Sequence, residues 1–393
     1  MIIALHKALV KCSKSIVKYA ENYIYICYIK AYNKVKQKKA GVCMKKIKID
    51  DLYSFSVKAL TSAGVSEENA KLTADTLIAT DMFGVVTHGT KNLGQYIKKI
   101  EAGGLDAKAE PTVVCEGAAF AIVDGNKALG MVTGSKAMKM AVEKAKKAGV
   151  AYVGVKNSCH FGAAGYYANL AAKEGLIGIS MSNADPVIVV PNGAEKAIGT
   201  NPFSFAVPLG NGKSIFLDIA LSSVAALKVI MAKEKGADIP DTWLVDENGE
   251  PTRDASLFPQ HAGLQPMAAH KGYGLAVLVE TLAAVMTGAG ILSQIASWNL
   301  DMSSVNNAGH AFIAIDVSQM MNTDEFNKRI NHLADELKNG KKAKGKSEIF
   351  LPGGMEWNRY EKAAEHGELE LTDAMADSLA ELAERTGIEI KIY

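Results

Sequence analysis

Apolar residues recur at helical spacing from Asp51 onward. The stretch DDLYSFSVKALTSAG predicts a helix capped by Asp and closed by Gly64. SEENAKLTADTLIATDMFG predicts a second, with Ser66 as N-cap and Glu67 and Glu68 in the dipole-favoured first turn. A third, KNLGQYIKKIEAGG, stops at paired glycines. AAFAIVDGNKALG reads as a strand and turn, and GSKAMKMAVEKAKKAG as an amphipathic helix ending at Gly149. Strands and helices then alternate through VAYVGVKN, the helix after His160, LIGISMSN and SFAVPLGNGKSIFLDIA. The last predicts a hairpin with Asn211-Gly212 as a tight turn. HKGYGLAVLVETLAAVMTGAG is an apolar helix, residues 291–307 form a loop, HAFIAIDVS is a strand, and a charged helical end begins near Asp324. There are no internal repeats and no low-complexity tract. The class is α/β or α+β.

Composition sharpens this picture at the N-terminus. The chain has 393 residues and a net charge of +2, so nothing global points to nucleic acid. Residues 1–43, however, hold nine lysines against the single acid Glu21, which leaves the rest at −6. Cys12, Cys27 and Cys43 lie in that segment, and only Cys115 and Cys159 lie beyond it. An odd count without regular spacing argues against a disulfide framework or a zinc site and for a reducing compartment, the cytoplasm. No window reaches the ~18–20 apolar residues of a membrane span. The basic segment is expected to be an extension outside the fold, ahead of a start at Met44. The competing readings are a surface-binding amphipathic helix, tethered to anionic lipid, or a targeting peptide.

Candidate chemistry begins with an absence. No G-x-G-x-x-G opens a helix, and GNGKS (Gly210 to Ser214) lacks the upstream glycine of a phosphate loop because Val207 stands there. In NSCHFGAAGYYANLAAKEG, His160 stands where a strand gives way to a helix, with Gly162 and Gly165 leaving space beside it. A helix N-terminus disfavours imidazolium, and a neutral imidazole in a cleft suits a general base; hydrogen bonding to nearby backbone is the equal competitor. Cys159 points to the other face of its strand, which disfavours a Cys–His pair. His88, in VVTHGTKNLGQY, is either a capping histidine or a site residue. Asn201-Pro202, in GTNPFSFAVP, makes either an ordinary turn or a ligand-facing one. Lys271, in HKGYG, is either solvated or a contact for phosphate or carboxylate. A metal site from His88, His160 and Asp218 lacks any supporting local spacing, and none is expected.

Read in order, THGTKNLGQYIKKIEAGG, NSCHFGAAGYYANLAAKEGLIGISMSNADP, PNGAEKAIGTNPFSFAVP, IPDTWLVDENGEPTRD, HKGYGLAVLVETLAAVMTGA and LPGGMEW resemble the malate/L-lactate/ureidoglycolate dehydrogenase family. These are NAD(P)-dependent 2-hydroxy-acid oxidoreductases. The resemblance runs from about Met44 to the C-terminus. It implies a central mixed-sheet cofactor domain of non-Rossmann type, spanning residues 116–311. A mostly helical domain would come from both chain ends, 44–115 and 312–393, with 1–43 outside. It implies NAD or NADP as cofactor and a homodimer. His160 falls on the catalytic histidine. Thr87, His88 and Tyr96 fall at the substrate, with Lys91 beside them. Ala184, Asp218, Ile219, Ala220, Lys271, Pro352, Gly353 and Gly354 fall on cofactor contacts, and Asn201 borders the same cleft.

The chain departs from the family pattern in places. Asn92 stands where relatives commonly carry an arginine for the substrate carboxylate. Loss of such a charged hydrogen bond costs ~1.5–3 kcal/mol. Ala268 and Ala269 replace frequent glycines, and Leu227 replaces a glycine before Lys228. The main expectation is a dehydrogenase of a small 2-hydroxy or 2-oxo acid; the alternative is a catalytically silent member that binds a metabolite or cofactor.

Overall fold

The computed structural model describes residues 45–393, so the lysine-rich segment lies outside the described residues. Lys46–Tyr393 make one unit, and its helical part opens the chain. Strand β1 (Lys46–Lys48) leads into α1 (Ile49–Ser62), which turns Leu52, Phe55, Ala59 and Leu60 inward. Asp50 and Asp51 lie in the first turn of α1, and no side chain caps it. Ser66 does cap α2 (Glu67–Met82), accepting a hydrogen bond from the Asn69 amide. A single 3-10 turn (Thr90–Asn92) precedes α3 (Leu93–Glu101).

The sheet part follows. β2 (Thr112–Glu116) and β3 (Phe120–Asp124) run into α4 (Gly130–Ala148), which Gly149 closes at φ 83°. Then come β4 (Val150–Ser158), α5 (Ala164–Lys173), β5 (Ile177–Ser182), β6 (Ile188–Val189), β7 (Lys196–Ile198), β8 (Phe203–Pro208) and β9 (Ser214–Ile219). The β8–β9 connection is longer than the tight turn expected at Asn211-Gly212. Leu209 donates to the Lys213 carbonyl, and both Gly210 and Gly212 take positive φ.

Beyond β9 lie α6 (Ala226–Glu234), β10 (Leu244–Asp246), β11 (Pro251–Thr252), β12 (Ala262–Leu264) and α7 (His270–Glu280), which widens into a π-turn over Thr281–Val285. β13 (Ala308–Ile315) returns to the sheet, and α8 (Thr323–Lys338), α9 (Gly354–His366), β14 (Glu368–Glu370) and α10 (Asp373–Thr386) complete the chain.

Seven strands form the main sheet in the order β2-β3-β4-β13-β5-β8-β9, antiparallel except for β3 beside β4. The strands next to the expected domain borders, β2 and β13, both belong to it. Ala137, Ala141, Tyr167 and Ala171, from α4 and α5, pack with Val153 and Phe312 in one core. A second core joins Met181 and Ala311 to α7 through Ala276 and Val279. The third is helical, and it gathers both chain ends: Phe55 and Leu77 meet Met375, Leu379 and Leu382. Small residues make the close contacts possible: a Cβ at Gly309 would lie 1.8 Å from the Ala283 carbonyl oxygen. β13 therefore runs directly beneath the π-turn, with no side chain between.

Candidate active site

β4 ends at Ser158, and the chain bends through His160 and Gly162 (φ 81°) before α5 begins at Ala164. His160 is thus four residues ahead of its helix. The N-terminal amide of Gly165 points instead at the Asp218 carboxylate, 2.8 Å away. The ring is kept neutral by something other than the expected helix dipole. Burial pushes the His160 pKa well below its ordinary value, and His88 and then His310 add to this.

The imidazole is held on two sides. Its Nδ1 lies 2.5 Å from the hydroxyl of Tyr96, a fully buried residue of α3. The Gly162 amide is 3.4 Å from the same atom, too long to compete. Trp298 covers a face of the ring at 4.2 Å between centroids and 15° between planes. His88 stacks at 5.4 Å. Burial also raises the Tyr96 pKa well above the phenol range, so its hydroxyl keeps its proton.

His88 sits on the turn before α3. Its Nδ1 is 2.7 Å from Thr87 Oγ1, and burial lowers its pKa too. Behind that turn, Asp81 of α2 accepts from the Thr90 amide (2.9 Å) and hydroxyl (2.6 Å). The contact is so close that a Cβ at Gly89 would fall 1.9 Å from Asp81 Oδ1. Glycine after His88 is thereby a steric requirement. Asn92 uses its amide to hold the Thr87 carbonyl at 2.8 Å, so it braces the turn. Lys91 is half-buried and lines a cavity of about 250 Å³ between α3 and α10, shared with Trp298, Gln95 and Arg385. Neither His88 nor His160 lines that cavity.

The expected cofactor residues form two groups. In one, Asp218 on β9 faces the start of α5, and the Phe216 amide donates to the Pro352 carbonyl. Gly353 takes φ 81°, and a Cβ there would lie 2.4 Å from the Phe216 ring. Burial pushes the Asp218 pKa up to about 6, against the Gly165 hydrogen bond and with help from Glu356. In the other group, the chain after Ile219 and Ala220 bends through Leu221 and Ser223, with a single bridge from Ser222 to Pro266. Leu221 donates to the Thr200 carbonyl and accepts from the Met267 amide. Ala220 and Lys271 are exposed, and Lys271 is in no ion pair among the described residues. Ala184 donates its amide to Asn201 Oδ1. Asn201 is fully buried, and its Nδ2 is committed to Ala276 and Glu280, so it fixes the turn from inside.

The chain matches a known family. The malate/L-lactate dehydrogenase family model matches residues 47–380. A malate dehydrogenase of Pyrococcus abyssi is 36% identical, over 86% of this chain and 94% of its own. The ureidoglycolate dehydrogenase (NAD(+)) of Escherichia coli K12 is 34% identical, over 84% and 93%. The solved sulfolactate dehydrogenase of Methanocaldococcus jannaschii superposes with a TM-score of 0.81 at 34% identity, covering 88% of this chain and 98% of that one. The chain belongs to this family. It is an oxidoreductase that acts on the CH–OH group of a hydroxy acid with NAD or NADP, and a catalytically silent role is not favoured.

Several residues that shape the site of this dehydrogenase were not legible in its sequence. Trp298 lies in the loop after the π-turn, 138 positions from the ring it covers. Lys99 looks like a solvated helix lysine, yet it is fully buried. Glu280 is buried on α7 and collects hydrogen bonds from Asn183, Asn201 and the Leu292 amide. Only its place in an otherwise apolar helix hinted at this. His310 is a satisfied core histidine between Ser182 and Ser158, its pKa pushed down to about 3 by burial. Cys159 donates to Asn306, and burial pushes its pKa up to about 12, which removes it as a nucleophile.

Proposed function

We propose that this dehydrogenase interconverts a small 2-hydroxy acid and its 2-oxo acid, with His160 as the group that moves the proton on the substrate oxygen. The observation that carries the reading is the environment of His160. The ring is neutral, its Nδ1 is engaged by Tyr96, and its Nε2 meets no hydrogen-bond partner among the described residues. In the tautomer that serves a base, Nδ1–H donates to the Tyr96 oxygen and Nε2 offers its lone pair to the substrate hydroxyl. Bound nicotinamide supplies the hydride acceptor or donor. In the reductive direction the imidazolium returns its proton to the carbonyl oxygen.

The substrate contacts in this reading are Thr87 and His88, with Tyr96 acting through His160, while Lys91 faces the separate cavity beside α10. The malate, sulfolactate and ureidoglycolate named for relatives share a 2-hydroxy-carboxylate unit. Asn92 supplies no guanidinium, so tight two-point capture of a distal carboxylate is not expected. Ala184, Asp218, Ile219, Ala220, Lys271 and the Pro352-Gly353-Gly354 turn would hold the cofactor, and Asn201 keeps their turn in shape. The residues fit such a group: an unpaired exposed lysine suits a pyrophosphate, and the glycine turn against Phe216 lets backbone approach closely. Residues 116–311 form the cofactor domain in this reading, and 44–115 with 312–393 form the helical one.

The reading includes a cytoplasmic homodimer. Leu275, Leu278, Val285 and Met286 stand 40–61% exposed along α7 and its π-turn. The only charge between Leu275 and Gly290 is the buried Glu280, so this face is apolar enough to pair with its own copy. Cys115 and Cys159 are free thiols, as suits a reducing compartment.

A cofactor-by-substrate matrix tests the activity, with NADH and NADPH against 2-oxo acids with and without a second acidic group. Turnover with at least one pair is expected, and a loss of ~10²–10⁴-fold in His160→Ala with cofactor still bound. A blank matrix, or a mild effect of that substitution, would count against the reading.

A further inference from the structure

We infer that Lys99 is a positioning residue for the base: it clamps the 296–306 loop so that Trp298 stays stacked on His160. This rests on the reading of His160 as the base. Lys99 is fully buried on α3, three residues after Tyr96 and on the same inward face. Its ammonium forms no ion pair among the described residues. Nζ donates to the carbonyls of Asp301 (2.6 Å) and Ser304 (2.9 Å). Burying an ammonium whose hydrogen bonds go to neutral carbonyls is costly even with the Asp301 carboxylate nearby, and a helix surface offers lysine a cheaper place. What it obtains here is a fixed loop.

The rest of the loop is fastened in the same sense. Gln95 donates to the Asn299 carbonyl at 3.0 Å, and Asn306 spans the loop base to the Ala296 carbonyl at 2.6 Å. Cys159, beside the base, donates to Asn306 Oδ1. Gly104 lets the loop dock, since a Cβ there would lie 2.2 Å from the Met302 carbonyl oxygen. One face of α3 thereby holds both the edge and the face of the imidazole. Tyr96 reaches Nδ1 directly, and Lys99 reaches the ring through Trp298.

A held indole does two things for a base. It fixes the ring plane, so that Nε2 keeps one direction towards the substrate. It also excludes water from that face, and burial is the largest cause of the low His160 pKa. The titratable groups around the ring are His88 from the turn, Tyr96 and Lys99 from α3, Cys159 on its own segment, and His310 from β13.

The test compares full-length wild type with Lys99→Met, Trp298→Ala, Trp298→Phe and His160→Ala in oxidation of the hydroxy acid, over a pH series, with NADH or NADPH binding read by nucleotide fluorescence. Lys99→Met and Trp298→Ala are expected to lower kcat at least tenfold while nucleotide affinity is unchanged. The acid limb of the profile is expected to move up towards 6.5 as water reaches the ring, and Trp298→Phe should retain most of both. A folded Lys99→Met with wild-type kcat and an unmoved limb overturns the clamp. If that variant does not fold, Trp298→Ala decides by the same two readouts. An inactive His160→Ala beside wild-type-like clamp variants removes the clamp alone. Turnover retained in His160→Ala removes the base assignment, and the clamp with it.

Discussion

The hydroxyl of Tyr96 meets Nδ1 of His160 at 2.5 Å across 64 positions of sequence. Because burial keeps that phenol protonated, the contact is a neutral hydrogen bond whose direction selects the imidazole tautomer. Replacing Tyr96 by Phe leaves the ring stacked on Trp298 but frees the tautomer. A loss of about fivefold in kcat is expected, in line with ~1 kcal/mol for such a bond. Steady-state kinetics checks this, and an unchanged kcat would show that Nδ1 needs no partner.

The low pKa of His160 predicts opposite pH behaviour for the two directions of reaction. Oxidation needs the neutral ring, which persists well below 6.5, so kcat/KM should stay level through neutrality and fall only at more acidic pH. Reduction needs the protonated ring and should gain as pH falls. Profiles measured in both directions on one substrate pair check the sign. An oxidative limb at or above 6.5 would contradict the buried environment.

Asp81 predicts a stability effect. Its pKa in the folded protein is about 7, raised from 3.8 chiefly by burial, and its Oδ1 has no hydrogen-bond partner. Between those values the folded chain holds a proton that the unfolded chain has released. Stability therefore falls as pH rises through that window, by on the order of 4 kcal/mol once Asp81 is ionised. Asp81→Asn should remove this part of the slope while keeping an oxygen for the Thr90 donors. Denaturant unfolding of both proteins at pH 5 and pH 8 measures it, and parallel pH dependences would refute it.

Ala268 and Ala269, expected to stand where relatives often carry glycine, both take left-handed backbone: φ is 48° and 53°. Ala269 pairs its φ with ψ −121°, a combination hostile to any Cβ. Ala269→Gly should stabilise the fold by about 1 kcal/mol despite the extra freedom of the unfolded glycine. A lower melting temperature in this variant would mean the neighbouring backbone had already relieved the strain.

Glu280→Ala removes the acceptor for the Asn183 and Asn201 amides and the Leu292 backbone N–H, all bound to one buried carboxylate. With stranded donors costing ~1–3 kcal/mol each, a destabilisation of at least ~3 kcal/mol is expected. Glu280→Gln, which keeps an oxygen, should cost less. Equal unfolding midpoints for the two variants would argue against the hydrogen-bond account.

Much of the frame was legible without coordinates, because its signals are local. The Ser66 cap, the glycine closing α4 at Gly149 and the apolar face of α7 act within a few residues of themselves. His160 stood out for the same reason, as a histidine between a strand and a glycine-rich helix. The β8–β9 hairpin is present, but its connection is longer than a dipeptide turn because two left-handed glycines, Gly210 and Gly212, carry it.

Sequence by itself determined most of the elements and the family, and it singled out His160 as the candidate base, since spacing, caps and motif order are properties of neighbouring residues. Motif order placed Thr87, His88 and Tyr96 near His160, but tertiary structure alone decided how the ring is held and what covers it. His88, Tyr96 and Trp298 come from three places in the chain, and no periodicity records that their rings stack around His160. It also decided the cause of the neutral imidazole, which is burial among those rings and not the helix end four residues away. Desolvation depends on every atom packed around a group, so it is fixed only when the whole chain has folded.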